Sequence, residues 1–152
     1  MLNFDFSDEE GWMARTIEIA KHNFTPYGCI IIDPVSSTFI EHANSVRQEG
    51  KTAHAEMNAL RNLKKLKHKD PKDLILYSTG EPCPMCMGAI IWSGIRTIRF
   101  GMSIPEISKF QNQISVPCTE IAERSWVDVD IKGGILEGKC RELFEKYVSK
   151  PT

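Results

Sequence analysis

The sequence predicts an α/β fold, a three-layer α/β/α sandwich around a mixed five-stranded sheet. Three observations lead there. Segments with strand patterning alternate with segments of helical periodicity through the middle of the chain. The first two strands are close enough in sequence to pair as a hairpin. The 152 residues hold no internal repeat, low-complexity run or linker, so one domain spanning 1–152 is expected, long enough to bury a core without disulfides.

Each element has its own signal. Ser7 followed three residues later by Glu10 is a capping-box pattern, and Met13, Ile17, Ala20 and Phe24 recur at helical spacing, which predicts a helix over 8–22. "YGCIIID" is a short Ile-rich run, and "STFIEHAN" beyond the turn after Pro34 is its antiparallel partner, giving a hairpin over 27–44. From His54 to Leu66, Ala59, Leu60, Leu63 and Leu66 form an apolar stripe that Pro71 closes off, which predicts a second helix. "DLILYST" reads as a strand, "PMCMGAIIWSG" as a buried helix ended by Gly94, and "RTIRFG" as a strand. Residues 103–125 carry weak patterning. "WVDVDI" then alternates like a strand and "LEGKCRELFEKYV" like a helix.

Composition narrows the function. Apolar residues make up 41% and charged residues 26%, as in ordinary globular proteins, and no apolar run approaches the roughly 18 residues of a membrane span. The N-terminal "MLNFDFSDEEGW" has neither the basic nor the apolar region of a secretory signal, so a cytoplasmic location is expected. Five cysteines are then thiols or metal ligands, not a disulfide framework. A net charge of −1 exerts no global pull on nucleic acid. The basic cluster "RNLKKLKHKDPK", with Lys64, Lys65, Lys67 and Lys69, reads first as the solvated face of a helix.

The chemistry concentrates in "KTAHAEMNAL" and "TGEPCPMCMGAI". Cys83 and Cys86, at i and i+3 on the first turn of a helix, can reach one metal, and His54 at the start of the preceding helix supplies a third ligand. Three protein ligands with an open fourth position are the pattern of catalytic zinc, and two helix N-termini converging there favour thiolates. Glu56, two residues past His54, is near enough to pass a proton from a zinc-activated water to a substrate without itself ligating. A lone C-x-x-C is equally a structural half-site or redox pair, but Cys29, Cys118 and Cys140 have no partner at ligand spacing to complete a structural site.

His-x-Glu combined with Pro-Cys-x-x-Cys is the zinc deaminase signature. On these motifs, together with "TPYGCIII", "EPCPMCMGAIIWSGI" and "RTIRFG", the chain resembles the cytidine deaminase-like superfamily over nearly its whole length. Within it, the chain is most similar to the branch of bacterial guanine deaminases and tRNA adenosine deaminases. The resemblance implies a hydrolytic deaminase with one Zn2+ per chain, a homodimer, and a base held by Asn44, whose other reading is a turn residue. It also implies that the backbone N–H of Ala55 touches the substrate and that Glu142 and Tyr147 cover the pocket. Trp92 either stacks near the base or fills the core. Trp92 and Pro26–Tyr27–Gly28 look more like the free-base guanine enzymes, so a nucleobase, guanine above all, is the expected substrate. Adenosine in tRNA, cytosine or another amino-heterocycle, and a non-catalytic zinc module are the alternatives.

Overall fold

The computed structural model describes residues 4–148. Helix α1 (Glu9–His22) is capped by Asp8 and not by Ser7: Asp8 Oδ1 accepts from Gly11 N at 3.0 Å, while the Ser7 hydroxyl turns back to Asp5. A carboxylate is the stronger acceptor for a first-turn N–H, so it takes the cap. Trp12, Met13, Ile17 and Ala20 form the buried face, but Phe24 lies past the helix end at φ 54° and 81% exposed, outside the stripe assigned to it.

Strands β1 (Gly28–Asp33) and β2 (Thr38–Ala43) pair antiparallel from Gly28↔Ala43 to Asp33↔Thr38, the expected hairpin. After the short α2 (Val46–Glu49) comes α3 (Ala55–Arg61), five residues shorter than its apolar stripe to Leu66 suggests. Asn62 ends it. Its side-chain amide donates to the Asn58 carbonyl at 2.8 Å, the acceptor that a continuing helix would give to its backbone, and its backbone N–H turns to Ala59 O at 3.0 Å. A single 3-10 turn over Leu63–Lys65 then buries Leu66, leaving Lys64, Lys65, Lys67 and Lys69 exposed but not on an α-helix.

Strand β3 (Ile75–Gly80), helix α4 (Pro84–Ser93) and strand β4 (Thr97–Met102) form a crossover with β3 and β4 parallel. Gly94, at φ 94°, ends α4 in the left-handed conformation that favours glycine. Two short helices, α5 (Ile104–Ile107) and α6 (Cys118–Glu123), occupy the weakly patterned region. Of "WVDVDI", only the last two residues pair, in strand β5 (Asp130–Lys132), an edge strand whose neighbour is β4 over Thr97–Arg99. Helix α7 (Glu137–Tyr147) closes the described chain.

The sheet order is β2-β1-β3-β4-β5, with β1 antiparallel to both neighbours and β3, β4 and β5 parallel. Alternation sorts the side chains. Ile30, Ile32 and Tyr77 pack under α1 and α7, whereas Cys29, Ile31, Leu76 and Ile98 pack under α3, α4 and α6. The result is the expected three-layer α/β/α sandwich. The register Cys29↔Ser78 and Ile31↔Leu76 puts Ser78 on the α3/α4 face, where the site lies. Among the described residues no helix is long and apolar enough to cross a membrane.

Candidate active site

His54 and Cys83 occupy equivalent places. Each is the N-cap of its helix, α3 and α4, with extended backbone at φ −68° and −66°. Pro84 takes the first position of α4, where its missing N–H costs nothing, and Cys86 follows in the first turn. Cys83 therefore sits just beyond the carboxyl end of a parallel strand, the usual place for a site in an open α/β sheet.

His54 Nδ1 lies 3.6 Å from Cys83 Sγ and 3.6 Å from Cys86 Sγ, and the three ligand atoms lie within 4.8 Å of one another. Tetrahedral zinc, with Zn–S of about 2.3 Å and Zn–N of about 2.0–2.1 Å, would set sulfur and nitrogen about 3.5 Å apart, so the donor set fits the ion in both chemistry and spacing. All five cysteines are free, and no other cluster of this kind occurs among the described residues.

The local electrostatics favour a thiolate. The Cys83 thiol is held down to about 4, first by the hydrogen bond from Cys86 and then by His54. Cys86 is pushed the other way, chiefly because it supplies that hydrogen bond and also because it is buried. Metal binding takes both sulfurs as thiolates and would release the protons they carry. His54 is raised by its contact with Cys83.

Beside this centre lies a cleft of about 230 Å3, lined by His54, Cys83, Glu56, Asn44, Tyr27 and Glu81, with Gln111, Asn112 and Gln113 completing it. Glu56 is only 5% exposed, and its Oε1 accepts from Ser78 Oγ at 3.2 Å. Burial, and next the Cys83 charge, push its carboxyl above the usual range, so it holds a proton more readily than a surface glutamate. Asn44 Oδ1 accepts from Val46 N at 2.8 Å, which turns its Nδ2 donors to other partners. Asn58 on α3 steadies that loop by donating to Ala43 O and Ser45 Oγ, both at 2.9 Å. Tyr27 is held by Thr79, whose hydroxyl donates to Pro26 O at 2.7 Å and accepts from Gly28 N at 3.1 Å.

The fold brings His54, Cys83, Cys86, Glu56 and Asn44 together, with Ala55 fully buried at the start of α3. Trp92 is elsewhere, 79% exposed on α4 with its ring centroid 4.9 Å from that of Trp126, so within one chain it neither fills the core nor lines the cleft. Glu142 is exposed, and Tyr147 lines an adjoining hollow with Phe24 and Arg47. Sequence reasoning assigned no site role to Glu81, Ser78 or Gln111–Gln113, and used Tyr27 only as part of a tripeptide. The glutamate before Pro82 and the amide run "QNQ" were the available signals.

A carboxylate that stands beside three metal ligands without joining them distinguishes this centre from a closed structural site, and on this sandwich it defines the class of zinc deaminase domains. Residues 7–102 match the family model described as "Cytidine and deoxycytidylate deaminase zinc-binding region", and the chain belongs to that family. Three curated relatives differ in substrate. A probable cytosine deaminase from Schizosaccharomyces pombe is 40% identical over 55% of this chain and 51% of its own length. A tRNA-specific adenosine deaminase from Buchnera aphidicola subsp. Baizongia pistaciae is 31% identical over 82% and 76%, and a guanine deaminase from Bacillus subtilis is 39% identical over 57% and 59%. The chain therefore spans only about half the length of the first of these. Among solved structures, a guanine deaminase from Nitrosomonas europaea superposes with a TM-score of 0.81 at 23% identity, covering 95% of this chain and 86% of that one.

Purified protein should contain about one zinc per chain, and Cys83→Ser or His54→Ala should lose it, because three ligands leave none spare. Metal analysis by plasma emission checks this. Full occupancy in Cys83→Ser would remove that residue from the centre.

Proposed function

We propose that the chain is a single zinc-dependent hydrolytic deaminase domain, acting in the cytoplasm on a purine base and converting guanine and water to xanthine and ammonia. The observation that carries the reading is the buried Glu56 carboxylate in one small cleft with the metal ligands and Asn44. His54, Cys83 and Cys86 would hold the zinc, which when bound would supply a Lewis acid able to lower the pKa of water toward about 7. Glu56 takes a proton from the attacking water and delivers it to the ring nitrogen beside the amino-bearing carbon; it then takes the remaining proton from the hydroxyl so formed and gives it to the amine, so that the carbonyl forms as the carbon–nitrogen bond breaks and ammonia leaves. Its buried position, in one cleft with the metal ligands, suits both halves of that exchange. The Nδ2 donors of Asn44 hold an acceptor on the base, as does the backbone N–H of Ala55, which as the first residue of α3 has no partner within its helix.

The choice of a free base rests on the cleft and on the motifs. Its volume of about 230 Å3 is below the roughly 300–1,000 Å3 of pockets for drug-sized ligands, which suits a bare base. Lys64, Lys65, Lys67 and Lys69 do not line it. A second reading, adenosine in tRNA, draws on the Buchnera relative and on the wider hollow beside the cleft, where Arg47, Lys51 and Lys109 offer positive charge. A homodimer is part of the proposal, since two large exposed indoles, Trp92 and Trp126, form an apolar patch that a second copy would cover.

The proposal is tested on the acid–base residue, the substrate and the oligomeric state. Glu56→Ala should keep zinc and fold while turnover falls by about 10²–10⁴; loss of zinc would make Glu56 a ligand. Ammonia release should be seen with guanine in preference to adenine, cytosine and their nucleosides, and replacing the four lysines by Gln should leave it nearly unchanged. Inosine formation in tRNA, with none of the free bases turned over, would install the second reading; replacing Arg47, Lys51 and Lys109 should then flatten the salt dependence of tRNA binding, its slope falling by about 0.9 per lost duplex phosphate contact. Sedimentation should report a dimer for the wild type and a weaker one for Trp92→Ala/Trp126→Ala; a monomeric wild type would refute the dimer.

A further inference from the structure

Glu81 takes no part in the steps above, yet it lines the same cleft and is only 7% exposed. Its Oε1 accepts from Ile104 N at 2.9 Å and its Oε2 from Cys118 N at 2.7 Å, while its own backbone N–H donates to Met102 O at 2.7 Å. Ile104 and Cys118 are the first residues of α5 and α6. Such N–H groups have no acceptor inside their own helix, and a carboxylate is the strongest side-chain acceptor available to them. One buried side chain therefore ties down both ends of the segment 104–118.

What that segment carries gives the tie its meaning. Residues 108–117 form no helix or strand, so no backbone ladder fixes their path. Within them, Gln111, Asn112 and Gln113 line the cleft, and Gln111 Oε1 accepts from the Tyr27 hydroxyl at 2.6 Å. Each carboxamide offers both a donor and an acceptor and carries no charge.

We propose that Glu81 is a positioning residue whose two hydrogen bonds to the starts of α5 and α6 hold Gln111, Asn112 and Gln113 as the specificity wall of the cleft. The wall suits a neutral heterocycle whose edge mixes donors and acceptors, as an amide-bearing base does, and gives no advantage to a charged ligand. The ligand half of this inference rests on the deaminase reading above; the clamp itself does not.

The test uses the full zinc-loaded chain and Glu81→Gln. Glutamine keeps one acceptor but turns an NH2 toward the second backbone N–H, so one end of the segment is released. Hydrogen exchange followed by mass spectrometry should show amides in 104–118 exchanging about tenfold faster, with β1 and β3 at wild-type rates and zinc still stoichiometric. On whichever base the wild type deaminates, KM should rise about tenfold with kcat little changed, and the preference among bases should narrow. A Glu81 that merely stabilised the fold would raise exchange everywhere and leave KM alone. Unchanged exchange in 104–118, or a fall in kcat at constant KM, overturns the proposal. If the wild type turns over no base, the deaminase reading fails while the exchange result still decides the clamp. If Glu81→Gln does not fold, Gln111→Ala and Gln113→Ala decide the wall: a raised KM at near-normal kcat upholds it, and unchanged KM refutes it.

Discussion

Two helix starts must arrive within the reach of one ion, and most of the architecture can be understood from that requirement. His54 and Cys83 both leave the helical conformation at an N-cap, which turns their side chains toward each other, and Cys86 follows one turn into α4. For the 3.6 Å separations to hold, α3 and α4 must lie side by side on one face of the sheet. Ala55 and Ala59 on α3 and Met87 and Ile90 on α4 belong to one buried cluster with Cys29, Ile31 and Leu76 below, and the small residues on α3 allow close approach. Burying each large apolar side chain there contributes about 1.5–3 kcal/mol. The packing of an ordinary core thus fixes the geometry of a polar centre.

That centre contains groups that stability alone would not select. A buried carboxylate with a raised pKa and a half-buried thiol with a lowered one both work against desolvation, which is the usual mark of a site kept for chemistry. Each has partners. Ser78 bonds Glu56 from β3, and its hydroxyl reaches that side only because strand alternation puts it with Leu76 and Cys29. Glu81 stands in the same loop as Cys83 but is satisfied by backbone N–H groups. Three acidic or thiol groups around one cleft, Glu56, Glu81 and Cys83, therefore have different duties, set by what each one faces.

The cleft is assembled from distant stretches of chain. Tyr27 and Asn44 flank the first hairpin and are joined through a backbone bond from Asn44 N to Tyr27 O at 3.1 Å. His54 and Glu56 come from α3, Cys83 from α4, and the amides from the segment between α5 and α6. The half with the metal-ligand set is built on helix starts and strand ends, whereas the opposite wall of the cleft depends on loops. The curated relatives are named for cytosine, guanine and tRNA adenosine in turn, so likeness to them does not single out a substrate.

The sequence by itself determined the layered α/β class, the hairpin, the helix ended by Gly94, and the His, Cys, Cys and Glu set, because periodicity and ligand spacing are local properties. It misplaced the cap of α1 by one residue, overran α3 by five, and extended β5 to four residues that do not pair. In each case a specific competitor won: the Asp8 carboxylate, the Asn62 side-chain amide, and the lack of a partner along a sheet edge. Only the tertiary structure decided that Trp92 lies outside the cleft and that Gln111–Gln113 lie inside it. An indole on a short apolar helix can face either way, and three amides in an irregular loop carry no period. Their position depends on where Glu81 anchors the segment, a long-range contact that spacing along the chain does not encode.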